Sequence, residues 1–459
     1  MESNSLNKKQ LLSVTHKNRY LRKLPLNFCS MKAYLLLIFS ILLILPGQLM
    51  AQHHNLDFYI EQARANSPFI QQNKNEKRVI QLDMEQLKSI YSKPEVTVDA
   101  SILFAPIVAR DNGNSQFRLA SKDAKRYTGY DLATTDGGQY VGTVTVTQGL
   151  FNGKKLDTHA EKADVQNQIS DNNIELTVHE LENAVKHQYL LCLKSKKQAA
   201  SNQELIKEVE DEIATMKPLV ENAIYKQSDL KLLQITLQNY QQDYETFRAD
   251  YRDNIYNLNL LCGINEGADT EIEPIEFQLS PVVTSGSRFL TSFYLDSLSI
   301  VADRKISELK YQPQVNLFAN AGMNAVYVPS INRLGFSTGA TFSFTLFDGH
   351  QRKMEFQKSQ INLETLQFKK QKKETEIEIQ QKFTLDKLAS LDKRISLASA
   401  QLNQYNQLLE MYKSQLGQAT ISVMDYKFLL KDISTKKQEK LLLGMEKQMV
   451  INAWNYWNY

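Results

Sequence analysis

Glycine and proline are scarce, at 17 and 10 in 459 residues. So few turn-formers leave little room for several loop-rich globular domains, although the length alone would suit about three. The polar content is rich in Gln, Asn, Lys and Glu, a balance that favours long helices. Cysteine occurs three times, at Cys29, Cys192 and Cys262, which excludes a disulfide framework and a thiolate metal cluster. Cys192 falls on a heptad position and Cys262 follows Leu260-Leu261, so both read as small core hydrophobes. No His pair has the HxxxH or HExxH spacing; His53-His54 are adjacent, and His179 and His187 stand eight apart, so no metal site is expected. Nucleophile-elbow, Walker and dinucleotide-binding signatures are all missing, so neither an enzyme nor a resident cofactor is expected.

Nor is there a net-charge signal. The formal charge is +3, but residues 1–51 hold seven Lys/Arg against one acidic residue, and the rest has 47 against 50. No basic block is interleaved with aromatic stacking positions, so nucleic acid is not an expected partner. No apolar run is long enough to span a bilayer, which needs about 20 residues. The longest, Ala33–Leu45, follows Lys32 and leads through Pro46 to Leu49-Met50-Ala51. A basic start, a short apolar core and a small residue predict a signal peptide cut near Ala51, with Met31 as an alternative start.

What is present is a repeat. Leu150-Phe151-Asn152-Gly153 returns 196 residues later as Leu346-Phe347-Asp348-Gly349, and Asp229 returns at the same offset as Asp425. Upstream, Pro94-Glu95-Val96 resembles Pro313-Gln314-Val315 at an offset of 219, which places an insertion of 23 residues in the polar stretch Ala105–Gln139. Fixed register on either side of one insertion predicts two structural copies, residues 52–280 and 281–459, after an N-terminal segment 1–51.

Each copy carries a coiled-coil seam. Leu388, Leu391, Ile395, Ala398, Leu402, Tyr405, Leu409, Tyr412 and Leu416 alternate steps of three and four. Ile206, Val209, Ile213, Met216 and Val220 repeat this phase in copy one, and Leu230, Leu233, Leu237, Tyr240, Tyr244, Phe247 and Tyr251 continue it beyond the break. This is the seam of helices packed knobs into holes. On the return helix of copy two, Lys436, Lys440 and Lys447 fall on expected seam positions, which predicts a shifted seam or water-facing sites. The run from Gly153 to a break near Asn222 makes a helix of about 105 Å, with Pro218 and Gly417 marking the two breaks.

Before each Phe-x-Gly turn lie two runs of alternating residues, at about 95–104 and 140–149 in copy one and about 314–325 and 335–346 in copy two. In the last, Phe336, Ala340, Phe342, Phe344 and Leu346 oppose Ser337, Gly339, Thr341, Ser343 and Thr345. About ten residues is the length of a tilted membrane strand. Four strands cannot close a barrel, and open edges do not survive in lipid, so several protomers must each contribute four.

These features together resemble the TolC outer-membrane efflux family over nearly all of residues 55–459. The resemblance rests on the Phe151–Gly153 and Phe347–Gly349 strand-to-helix turns, on Pro94 and Pro313 entering the first strands, and on Asp229 and Asp425 past each helix break. It implies a mainly α fold with β structure: two repeats of β-hairpin plus long coiled-coil helices, assembled as a homotrimer with a 12-stranded barrel in outer-membrane lipid on a helical periplasmic tunnel. It also implies a passive export duct of a tripartite efflux or type I secretion system, served by a periplasmic adaptor and an inner-membrane pump. The docking tips would be Asn222, Ala223, Ile224 and Tyr225 in copy one, and Gly417, Gln418, Ala419 and Thr420 in copy two. Asp229 and Asp425 would ring the entrance, or else cap the helices that follow. The chain departs from the family in carrying Glu221 opposite Gly417, and in having no Arg between Tyr412 and Asp425 to latch the entrance.

Two other classes compete. An adaptor has one helical hairpin between small β-domains, whereas two hairpins are present here. A trimeric coiled-coil adhesin with a barrel anchor would carry its strands at one end of the chain rather than within each copy.

Overall fold

The computed structural model describes residues 54–119, 123–130, 137–267, 270–282, 286–326, 334–418 and 420–459. The expected signal segment, with Cys29 and Met31, lies outside them, and residues 53–459 form one compact unit. In chain order the elements are α1 (Leu56–Asn66), α2 (Pro68–Ser92), β1 (Glu95–Ala105), β2 (Ile107–Asp111), β3 (Asn114–Arg118), β4 (Tyr127–Gly129) and β5 (Gly137–Leu150). Then follow α3 (Gly153–Glu221), α4 (Gln227–Cys262), α5 (Arg288–Glu308), β6 (Gln314–Val326), β7 (Leu334–Ser343), α6 (Gln351–Gly417) and α7 (Val423–Trp457).

The two long helices of 69 and 67 residues run about 100 Å each and pack with their return helices α4 and α7. Most heptad positions form the core as expected, while Tyr244 and Phe247 stay outside it. Val209, Met216, Leu230, Leu233, Tyr240, Leu409 and Leu416 are buried together at the far end of the pillar, with Tyr405 and Tyr412 packed against them. Leu388, Leu391 and Ala398 are buried against Leu443, Val450 and Ile451 higher up. A third core, at the waist, joins Tyr59 of α1, Tyr189 and Cys192 of α3, and Ile255 and Cys262 of α4. Burial pushes both thiols up to about 12, so they are inert packing groups.

The lysines of α7 do not belong to the seam. Lys447 pairs with Asp392 at 2.6 Å and Lys436 with Glu439 at 2.6 Å, while the apolar contacts skip from Ile433 to Leu441. Pro218 does not break α3 either, because the helix continues to Glu221. The stop is a Schellman turn in which Ile224 N donates to Leu219 O and Ala223 N to Val220 O, with Ala223 left-handed at φ 58°. In copy two, Thr420 N donates to Gln415 O, the equivalent bond. Glu221 and Gly417 are thus the last helical residues of their copies and neither is left-handed, which explains why a Glu is tolerated opposite the Gly.

Strands β1-β5-β6-β7 form one antiparallel sheet in that order. β7 stops at Ser343, short of the expected Leu346, because its neighbour β6 begins at Gln314, paired with Ser343, and offers Phe344 onward no partner. Asp348 then accepts from the Tyr311 hydroxyl and from Arg352 N, both at 2.7 Å, turning the chain into α6. The insertion of copy one is not plain loop: β2, β3 and β4 make a second sheet in the order β3-β2-β4. Among the described residues no helix is long and apolar enough to cross a membrane.

Candidate functional site

Residues paired across a ladder point to the same face of a sheet. Val98 pairs with Val144, Val144 with Ala321 and Ala321 with Phe336. One row along, Ala100, Gly142, Met323 and Leu334 are aligned, and on the other side Val146, Ala319 and Thr338. The expected faces are therefore correct strand by strand and join into a single apolar face. Thr338 interrupts it, and its hydroxyl is satisfied by Phe318 O at 3.0 Å. The opposite face carries Thr97, Thr145, Asn320 and Ser337 in one row and Asp99, Thr143, Gly322 and Gly335 in the next. The apolar face is bare in the single chain: Val98, Ile102, Phe336 and Phe342 are all more than two-thirds exposed.

The helices beneath repeat the order of the strands. α2 packs on α3, α3 on α5 and α5 on α6, so the edge strands β1 and β7 continue into the edge helices α2 and α6. Each edge helix also shows apolar residues to solvent. On α6, Met354, Ile361, Phe368, Ile379 and Phe383 are exposed and lie within about 60° of arc at 100° per residue. On α2, Val79, Leu82 and Ile90 are exposed on one side.

The strand-to-helix turns differ between copies. In copy one Phe151 itself is left-handed, at φ 58°, and the helix starts at Gly153. In copy two Gly349 and His350 take φ 66° and 67°, and the helix starts two positions later in repeat register, at Gln351. Both Phe151 and Phe347 project into solvent, at 84% and 77% exposure.

At the far end of the pillar the two turns lie side by side. Tyr225 binds them together, its hydroxyl standing 3.1 Å from Leu416 O and 3.0 Å from Ile421 O. Asn222 caps its own helix end through Pro218 O at 2.9 Å, Ile224 is exposed, and Thr420 bonds Gln415 O with both its amide and its hydroxyl. Gln418 caps α6, and Ala419 lies outside the described residues. Asp229 accepts from Lys226 N at 3.1 Å and so caps α4, whereas the cap of α7 is Ser422, which leaves Asp425 exposed in the first turn.

Just above the tip lies a group that sequence reasoning missed. Glu212 of α3 is the one Asp, Glu, Lys or Arg buried among the described residues. Its carboxyl lies beside the buried Tyr426 phenol of α7 and near Lys413 of α6, which pairs with Glu208 at 3.0 Å. Burial holds the Glu212 carboxyl above the usual carboxylate range, against a weaker opposing pull from Tyr426 and Lys413. A signal existed: Glu212 aligns at the 196 offset with Leu408, an apolar position in copy two. A raised folded-state pKa means that ionised Glu212 costs stability above that pKa, and the cost vanishes once pH falls below the ordinary carboxylate value. Glu212→Gln should therefore raise the melting temperature at pH 8, with the gain shrinking as pH drops toward 4. Thermal melts of both proteins across that range check it; a pH-independent difference, or a loss at pH 8, would contradict it.

No family model and no curated protein matches this chain by sequence. Solved structures do. CusC, in a study of folding and transmembrane channel formation, superposes with a TM-score of 0.67 over 88% of this chain and 91% of that chain, at 10% identity. The outer membrane protein VceC of Vibrio cholerae gives 0.65 over 88% and 95%, at 13% identity. The outer membrane channel CmeC of Campylobacter jejuni gives 0.65 over 88% and 85%, at 11% identity. This is the TolC-type channel fold. Coverage of 88% of this chain, and of 91% of CusC and 95% of VceC, means that the TolC-type architecture accounts for sheet, pillar and waist together, with β2–β4 set into the connection between β1 and β5.

Proposed function

We propose that the chain is one protomer of an outer-membrane export channel, a passive duct without catalytic chemistry. The observation that carries this reading is the sheet. It has one largely apolar face bare to solvent, broken at Gln148 and Thr338, one largely polar face with Phe318 as an exception, and two unpaired edges. Such a sheet is stable in lipid only when closed, and the smallest membrane barrels use about eight strands. Three copies supply twelve. Closure would set β7 of one copy against β1 of the next, and in the same step bring the bare apolar stripe of α6 against that of α2. The polar face then lines the passage.

The pillar extends that passage away from the membrane, and the tips Asn222–Tyr225 and Gly417–Thr420 receive an adaptor that couples the duct to an inner-membrane pump, in tripartite efflux or type I secretion. Their exposed, small or helix-capping residues suit close approach of a partner helix. With Asp229 engaged as a cap, Asp425 is the better candidate for an acidic entrance ring. The mature protein should fractionate with the outer membrane and sediment as a trimer in mild detergent. A monomer that stays in solution without detergent would refute the reading.

A further inference from the structure

The four strands of the main sheet contain two charged side chains, Glu95 and Asp99, and no Lys, Arg or His. Both fall on the polar face. Glu95 is the first residue of β1 and follows Lys93 by two positions, so a base lies close to it. Asp99 stands near the middle of the strand, six residues from that base. Its carboxylate accepts from the Thr97 and Thr145 hydroxyls, at 3.3 and 3.4 Å, which hold it on the polar surface.

Its row is also the barest on that face: Asp99, Thr143, Gly322, Gly335. Gly322 cannot be replaced without moving the backbone, because a Cβ there would lie 2.2 Å from Gly142 O at a φ of 155°. No long side chain in that row stands between Asp99 and the passage. We infer that Asp99 sets the charge preference of the channel, making the barrel itself favour cationic and neutral cargo over anionic cargo. This rests on the duct reading above. Threefold symmetry places three Asp99 carboxylates at one height in a wall with no opposing cation. Fixed charge of one sign along a pore raises the local concentration of counter-ions and repels co-ions.

The test is reversal potential across planar bilayers in a KCl gradient. Asp99→Asn should lower the cation-over-anion permeability ratio of the wild type by about half or more. Asp99→Cys adds a charge-rescue arm, because the described native thiols, Cys192 and Cys262, are buried. An anionic alkylthiosulfonate reagent should restore the preference and a cationic one should reverse it. An unchanged ratio in Asp99→Asn, or no response of the Asp99→Cys channel to either reagent, overturns the assignment. Wild-type protein that inserts but carries no current overturns the duct reading, and the assignment with it.

Discussion

Ala321→Arg is expected to cost about 2–4 kcal/mol of folding free energy in lipid, the range for a charged residue on the lipid face of a barrel near mid-membrane. Asn320→Arg, one residue away, should fold normally and alter conductance instead. The pair is informative because the residues are sequence neighbours near the middle of β6 and differ only in face. Ala321 lies between Val144 and Phe336, whereas Asn320 lies between Thr145 and Ser337. An Arg on the first face must draw water into the hydrocarbon or tear the strand from its partners; on the second it meets solvent. Depth matters too. Phe342 stands one residue from the end of β7, so Phe342→Arg should cost only about 0–1 kcal/mol. Refolding into lipid vesicles checks all three; equal yields for the position 320 and 321 variants would mean that neither face meets lipid, and the reverse order that the two faces are assigned the wrong way round.

Gly417→Trp is expected to abolish export while leaving the trimer and its insertion intact. Gly417 is the cleaner site for this test. A Cβ there would meet nothing within 4 Å, and its φ is not left-handed, so bulk is tolerated by the chain itself. Ala223 is different: it already holds φ 58°, a conformation that costs an L-residue about 1–2 kcal/mol, so a bulky replacement there would mix obstruction with a perturbed turn. Loss of export in the Gly417 variant therefore reports an obstructed partner rather than a damaged tip. Normal export would remove the tips from the docking surface.

The large features of this fold are legible because each is written twice. The 196-residue offset, the seam from Leu388 to Leu416 and the alternation in β6 are periodic, and periodic burial leaves a periodic sequence. What could not be read depends on single backbone or tertiary events. Pro218 looks like a helix breaker, yet the stop is the left-handed Ala223, a residue with no turn signature. The alternation of β7 runs on through Phe344 and Leu346, but a strand ends where its neighbour does. The small sheet of β2, β3 and β4 lies in a stretch whose Asp, Gly, Asn and Ser content reads as loop. The Tyr225 clip and the buried Glu212 each join the two copies, so neither shows within one copy. Their trace is a mismatch at equivalent positions, Tyr225 against Ile421 and Glu212 against Leu408.

The central claim is that identical copies close around one passage running from the sheet to the tips. Electron microscopy of the detergent-purified protein tests it directly. The account predicts threefold particles with a micelle-bound barrel at one end and a hollow stalk of about 100 Å. Particles without threefold symmetry, or with a solid stalk, would contradict it.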